Sequence, residues 1–102
     1  MTNNMQKIHS LLGIAMRAGK LVSGEDGTMI DLKKGKLNLV IVAEDASNNT
    51  KKLFKDKSSY RKINQIYFST KVELGLAIGK SPRAVIGIKD KSLASKITEL
   101  MQ

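Results

Sequence analysis

Leu37-Asn-Leu-Val-Ile-Val-Ala-Glu-Asp-Ala-Ser47 decides the fold. It holds the longest uninterrupted apolar run in the chain, Leu39 to Ala43, followed at once by acidic and polar residues. Three of those five residues are β-branched, and the stretch is bounded by Gly35 before it and Glu44-Asp45 after it. That pattern reads as a strand buried on both faces, the kind found mid-sheet with helices on either side. In such sheets ligands gather beyond the strand ends, which here places Glu44, Asp45, Ala46 and Ser47 near any binding region.

Upstream, Ile8, Leu11, Leu12, Ala15 and Met16 recur at i, i+3, i+4, i+7 and i+8, predicting an amphipathic helix over 5–18. Asn3 or Asn4 would cap it and Gly19 would stop it. Leu21-Val22-Ser23 is a short strand, and the turn Gly24-Glu25-Asp26-Gly27 leads into a second helix over 26–34 with Met29, Ile30 and Leu32 as its apolar face. Its first-turn acids and the trailing Lys33, Lys34 and Lys36 suit the helix dipole.

Downstream, Ser47 or Asn48 is a good N-cap for a short basic helix. Leu53 and Phe54 would point inward, and Lys51, Lys52, Lys55 and Lys57 outward. A strand over 63–68 follows. Thr70-Lys-Val-Glu73 fits the capping box and opens a fourth helix that stops at Gly79. Lys80-Ser81-Pro82-Arg83 is a loop, Ala84–Ile88 a fourth strand, and Asp90 or Ser92 caps a last helix bearing Leu93, Ala94, Ile97, Leu100 and Met101. The alternation predicts an α/β fold, a three-layer α/β/α sandwich around a four-stranded mixed sheet, in one domain over 1–102. A core of this size buries roughly 65% of the unfolded surface and needs no disulfide or metal.

Bulk composition narrows function. Eighteen Lys and Arg against nine Asp and Glu leave a net charge of +9, which favours a polyanionic partner, nucleic acid above all. There are no cysteines, so thiol catalysis and thiolate metal sites are excluded, and the one histidine, His9, cannot form a histidine metal site alone. The histidine lies beside the first helix's apolar stripe, where a packed or solvent-facing role is expected. No run approaches the roughly 18 apolar residues of a membrane span. The polar N-terminus, with Lys7, His9 and Arg17 among the apolar positions, argues against a signal peptide and for a cytoplasmic location.

Two motifs fail on inspection. Gly75-Leu-Ala-Ile-Gly79-Lys80-Ser81 imitates a phosphate-binding loop, but three residues separate the glycines instead of four. It also runs from helix to strand, the reverse of what a phosphate cradle needs. The pairs Glu25-Asp26 and Glu44-Asp45 suit helix caps and turns better than acid–base catalysis. The expectation is a protein without catalytic residues and without a cofactor. Aromatic residues are too few for a base-stacking sheet surface.

Four segments together resemble one family: Arg17-Ala-Gly-Lys-Leu-Val-Ser-Gly-Glu-Asp26, Leu39-Val-Ile-Val-Ala-Glu-Asp-Ala-Ser47, Ser69-Thr-Lys-Val-Glu-Leu-Gly75 and Gly79-Lys-Ser-Pro-Arg-Ala84. In order and spacing they are similar to the kink-turn-binding ribosomal proteins of the L7Ae and L30e type, in particular the small bacterial YlxQ-type members. The resemblance covers about residues 11 to 89 and implies the same α/β/α sandwich. It also implies binding to kink-turns, sharply bent RNA duplexes with a bulge beside sheared G·A pairs, in ribosomal or other structured RNA. The residues it marks for RNA are Gly24, Glu25, Asp26, Gly27, Ser47, Lys51, Lys71, Lys80, Ser81, Pro82 and Arg83. The helix-opening turn Gly24 to Gly27 would offer N–H groups to an acceptor, and Lys71, Lys80 and Arg83 would neutralise phosphates. Pro82 would stiffen its loop against an unstacked base. The expected partner is thus structured RNA, with the ribosome as a candidate home, no membrane and no specificity for DNA, bound by a monomer. One departure stands out. The family's first motif reads Gly-x-Asn-Glu with a lysine three residues later, whereas this chain has Asp26, Gly27 and Ile30 there. An ionised Asp accepts but cannot donate, so altered base readout is expected. That departure also motivates an alternative: an adaptor for other proteins that keeps the fold without specific kink-turn readout.

Overall fold

The computed structural model describes residues 2–102, with side chains from Asn4 onward. The elements alternate as α1 (Thr2–Arg17), β1 (Leu21–Ser23), α2 (Glu25–Lys33), β2 (Leu39–Val42), α3 (Asn48–Tyr60), β3 (Gln65–Tyr67), α4 (Lys71–Ala77), β4 (Val85–Ile88) and α5 (Lys91–Met101). The sheet order is β1-β4-β2-β3. β4 runs antiparallel to both neighbours, with Leu39 opposite Ile88 and Val42 opposite Val85, while β2 and β3 are parallel. The expected mixed sheet is therefore present. α1 packs on α4 and α5 across one face, and α2 packs on α3 across the other, giving three layers.

β2 and β4 occupy the middle of the sheet, and every residue of both is buried. Burying a Val or Ile side chain contributes about 1.5–3 kcal/mol. The apolar run that marks β2 in the sequence is thus the strand with the most to lose by exposure. Strand directions have a useful consequence. The C-terminal ends of β1, β2 and β3 and the N-terminal end of β4 all lie along one edge of the sheet.

Caps follow the sequence closely. Ser47, not Asn48, caps α3 by accepting from the Thr50 N–H at 3.1 Å. Thr70 caps α4 through the Glu73 N–H, and Asp90, not Ser92, caps α5 through the Leu93 N–H. The start of α1 differs from expectation. The helix already runs from Thr2, and Asn4 sits inside it, its amide donating to the Leu100 carbonyl of α5. The Asn3 side chain lies outside those described.

Two inward faces also differ. On α2 the buried residues are Thr28 and Leu32, whereas Ile30 is 53% exposed. Thr28 and Leu32 are four apart and share a face; Ile30 is two residues from each and falls on the opposite side. On α3 the inward face is Thr50, Phe54 and Ser58, again at four-residue spacing, so Leu53 turns partly outward. Lys51 and Lys57 are half-buried rather than fully outward. Phe54 anchors the helix and leaves the other side to charge.

Candidate nucleic-acid interface

At the sheet edge where four strand ends meet, the chain forms an open cleft of about 760 Å³. It is lined by Ser23, the turn Gly24 to Gly27, Lys71, Pro82, Arg83 and Ala84. Three elements converge there: the N-terminus of α2, the N-terminus of α4, and the loop entering β4.

The α2 turn is shaped by Gly24, whose φ of 89° lies in the left-handed region that glycine adopts without strain. The Gly24 N–H donates to the Val85 carbonyl at 2.9 Å and is spent on the sheet. This corrects the expectation that it would meet a ligand. Gly24 offers no side-chain cap. The N–H groups of Glu25, Asp26 and Gly27, in the first turn of a helix, have no intrahelical acceptor. They face the cleft with the positive end of the helix dipole behind them, a ready place for an anion or a base acceptor.

The two acids of the turn have separate roles. Glu25 accepts from the Thr50 hydroxyl at 3.1 Å, and Thr50 in turn accepts from the Ser47 hydroxyl at 2.9 Å. Ser47, Thr50 and Glu25 thus clamp the N-termini of α2 and α3 together. Asp26 has no such tie among the described residues and remains exposed in the cleft.

Lys71 and Arg83 come from opposite sides of the same backbone junction. The Lys71 N–H donates to Asp45 Oδ1 at 2.9 Å, and its carbonyl accepts from the Arg83 N–H at 3.0 Å. Asp45, at the polar end of β2, therefore fixes where α4 begins. Arg83 holds its own loop: Nη1 lies 2.8 Å from Ser81 Oγ and 3.2 Å from the Ser81 and Pro82 carbonyl oxygens. Nε donates to Ser23 Oγ at 3.2 Å, across to the end of β1. Nη2 has no hydrogen-bond partner among the described residues. The loop also lies close over α4, because a Cβ on Gly75 would collide with the Ser81 carbonyl and stand 2.9 Å from the Lys80 oxygen.

One further support comes from α1. His9 packs tilted against Phe68, ring centroids 5.0 Å apart, and its Nε2 lies 2.9 Å from the hydroxyl of Ser69, which holds a φ of 65° just before the α4 cap. Of the packed and solvent-facing roles expected of His9, it takes the packed one.

Of the residues marked from sequence, the cleft collects Gly24, Glu25, Asp26, Gly27, Lys71, Pro82 and Arg83. Ser47, Lys51, Lys80 and Ser81 do not line it. Ser47 is engaged in the α3 cap, Lys51 lies 5.7 Å over the Tyr67 ring, and Ser81 is bound by Arg83. Sequence reasoning missed Ser23, Thr50 and Asp45 as supports, since their partners are 60, 25 and 26 residues away.

The electrostatics of the cleft are balanced. Glu25 and Asp26 offset Lys71 and Arg83 in formal charge. The ion pairs among the described residues, Lys20–Asp90, Lys52–Asp56 and Lys89–Asp31, all lie outside it. Among the described residues there is also no cluster of three or more His, Cys, Asp or Glu placed to hold a metal ion, and no helix long and apolar enough to cross a membrane.

Comparison with known proteins agrees with this architecture. A protein of Bacillus halodurans C, described as of unknown function, superposes with a TM-score of 0.90 at 39% identity, covering 93% of this chain and 96% of that one. The 15.5kD RNA binding protein of Giardia lamblia shares the fold, with a TM-score of 0.79 at 20% identity over 96% of this chain and 84% of its own. In sequence, the chain is 48% identical to the RNA-binding protein YlxQ of Enterococcus faecium over 99 residues, 97% of this chain and 95% of the relative. The profile of one family matches residues 6–98. The chain belongs to the ribosomal protein L7Ae/L30e/S12e/Gadd45 family.

Proposed function

We propose that this protein binds structured RNA at a kink-turn-like bend, without catalysing a reaction on it, and that the cleft at the sheet edge is the contact surface. The observation that carries the reading is convergence: three uncommitted α2 N–H groups, Lys71 and the Pro82–Arg83 loop share one cleft. The name of the Enterococcus faecium relative and the ribosomal members of the family support RNA as the partner class. Ribosome or translation association, a cytoplasmic location and action as a monomer belong to the same reading.

A sharply bent duplex offers what this cleft can take. Bases beside a bulge expose edges that a regular stem hides, and guanine presents the acceptors O6 and N7. The α2 N–H groups donate to such acceptors, and the Asp26 carboxylate accepts from base N–H groups. Lys71 and the free Nη2 of Arg83 meet phosphates that the bend crowds together. Pro82, with its fixed φ, keeps the loop edge firm against an unstacked base.

The deciding experiment is a fluorescence anisotropy titration with a kink-turn RNA and a straight duplex of the same composition. A preference for the kinked RNA of about tenfold or more is expected, the worth of one good base-edge contact. Equal affinity for the two would overturn the reading. One observation favours a second reading, the protein adaptor. Ile30 on α2 and Leu53 on α3, two helices that pack together, are 53% and 44% exposed. The adaptor reading predicts no retention of either RNA.

A further inference from the structure

The net charge of the protein is not where the cleft is. The cleft lining is formally neutral. The stretch from Lys51 to Lys62 instead carries Lys51, Lys52, Lys55, Lys57, Arg61 and Lys62 against a single acid, Asp56. Twelve residues thus hold five of the nine net charges of the chain. A neutral cleft does not generate the steep electrostatic attraction that an RNA binder with this charge should show.

The geometry makes this basic stretch a continuation of the cleft. Ser47 and Thr50 join the N-terminus of α3 to Glu25. From there α3, thirteen residues long, runs about 20 Å away from the cleft edge toward the opposite end of the sheet. Its inner face is closed by Phe54, and Lys52, Lys55 and Lys62 are exposed to solvent. Aromatic rings steady a cation near each end: Lys51 sits 5.7 Å over Tyr67, and Arg61 sits 5.4 Å over Tyr60, itself 82% exposed. The acid of the stretch is engaged with Lys52 at 3.2 Å and leaves Lys55, Arg61 and Lys62 without an ionic partner among the described residues.

We infer that the outer face of α3 is a second RNA contact, which holds the phosphate backbone of a helical stem leaving the bend. It rests on the cleft as the docking point for that bend. The cleft supplies recognition and the α3 face supplies most of the salt-dependent affinity. A bare charged helix discriminates little among sequences, because phosphate contacts carry no base information.

Stem length separates this inference from the reading it rests on. Binding is measured across a range of salt with a kink-turn RNA whose stems are short, and with versions in which each stem in turn is lengthened to reach along α3. The double variant Lys55→Gln/Lys62→Asn removes two charges; Asn is chosen for the left-handed φ of 57° at Lys62. For the wild type, lengthening one of the two stems should tighten binding and steepen the fall of log affinity with log salt. The double variant should lose that gain, with a slope shallower by about 0.9 for each removed contact, while binding the short-stemmed RNA as the wild type does. Asp56→Asn, which frees Lys52, should act in the opposite direction and tighten binding to the long-stemmed RNA, a gain that loss of stability cannot imitate. Equal slopes for wild type and double variant on the long-stemmed RNA, or an equal loss on both RNAs, would overturn the α3 contact. If the wild type shows no preference for the kink, it is the cleft reading that fails. The α3 face is then tested on a long straight duplex, where the double variant must still flatten the slope.

Discussion

The cleft and the outer face of α3 adjoin each other, yet they are built on opposite principles. In the cleft the framework is tied down by hydrogen bonds. Glu25 is tied to Thr50, Arg83 to Ser23 and its own loop, and the Lys71 backbone to Asp45 and Arg83. The charges there cancel, and what remains for a ligand, the α2 N–H groups with Asp26, Lys71 and Arg83, is carried on that fixed frame. On α3 the charge is large, solvated and held by little beyond two aromatic rings and one ion pair. Fixed donors and acceptors favour geometry, whereas mobile cations favour any phosphate backbone. The contrast shows how a small domain can separate recognition from attraction, and loosening one region while sparing the other puts that separation to the test.

The largest expected effect comes from Gly75→Ala. The new methyl group meets the Ser81 carbonyl, which is backbone and cannot rotate aside. Overpacking of this kind costs about 1–3 kcal/mol. For a domain of this size that is a fall in melting temperature of roughly 4–8 °C per kcal/mol, measurable by circular dichroism. The loop holding Pro82 and Arg83 should shift with it. Kinked-RNA preference then drops while the affinity for a long straight duplex stays. An unchanged melting temperature would show that the loop does not press on α4 as described.

Thr50→Val comes next. Valine keeps the shape but breaks the chain from Ser47 to Glu25, at a cost of about 1 kcal/mol for the lost hydrogen bonding. Because the Ser47 cap on the residue-50 N–H survives, the helix itself should persist. Exchange of the Thr28 amide proton, which the Gly24 carbonyl holds at the start of α2, should quicken, as seen by nuclear magnetic resonance. Protection identical to wild type would mean that Glu25 contributes nothing to holding α2.

Asp26→Asn should act on binding more than on stability. It restores a side chain that donates as well as accepts and removes one negative charge from the neutral cleft. Kinked RNA should bind several-fold tighter relative to straight duplex, within the range of a single base-edge contact. If the ratio of the two affinities does not move, Asp26 does not face the bases.

Local signals in the sequence sufficed for the scaffold. The run Leu39 to Ala43 is buried throughout, and Ser47, Thr70 and Asp90 cap their helices because an N-cap bond reaches only three residues along the chain. Long-range ties were not legible. Nothing near Arg83 indicates that Ser23 will accept its Nε proton, and nothing near Asp45 indicates the Lys71 N–H. Gly75 stood out in the sequence only as part of a false phosphate-binding loop; its reason is a loop five residues on that folds back over it. Ile30 and Leu53 were placed inward because apolar residues were weighed before spacing, and in both helices a threonine took the inward position instead. The distribution of charge was readable from the start. Its meaning was not, because the neutrality of the cleft depends on which four residues the fold brings together.

The smallest effect lies in a third region, at the end of the sheet away from the cleft, where Asp90 leads into α5. Its carboxylate accepts from the Leu93 N–H at 2.8 Å and lies 3.4 Å from Lys20. The Leu93 hydrogen bond, foremost, lowers its pKa; desolvation, the next largest effect, opposes it, and Lys20 and then the Ser92 N–H add to the lowering, so that it stays below the ordinary 3.8. A folded-state pKa below the unfolded one means the ionised group stabilises the fold above the unfolded value, and that this contribution fades as pH falls through the folded value. Asp90→Asn keeps a capping oxygen and removes only the charge. The variant should therefore be slightly less stable than wild type at neutral pH, by an amount that stays level down to about pH 5. The gap should close as the pH falls below the ordinary carboxylate range, followed by denaturant titration at each pH. RNA affinity at neutral pH should be the same for both proteins, because Asp90 touches neither the cleft nor α3. A gap that persists undiminished in strong acid would assign the effect to altered cap geometry, and a change in RNA binding would show that charge at this far end is coupled to the cleft after all.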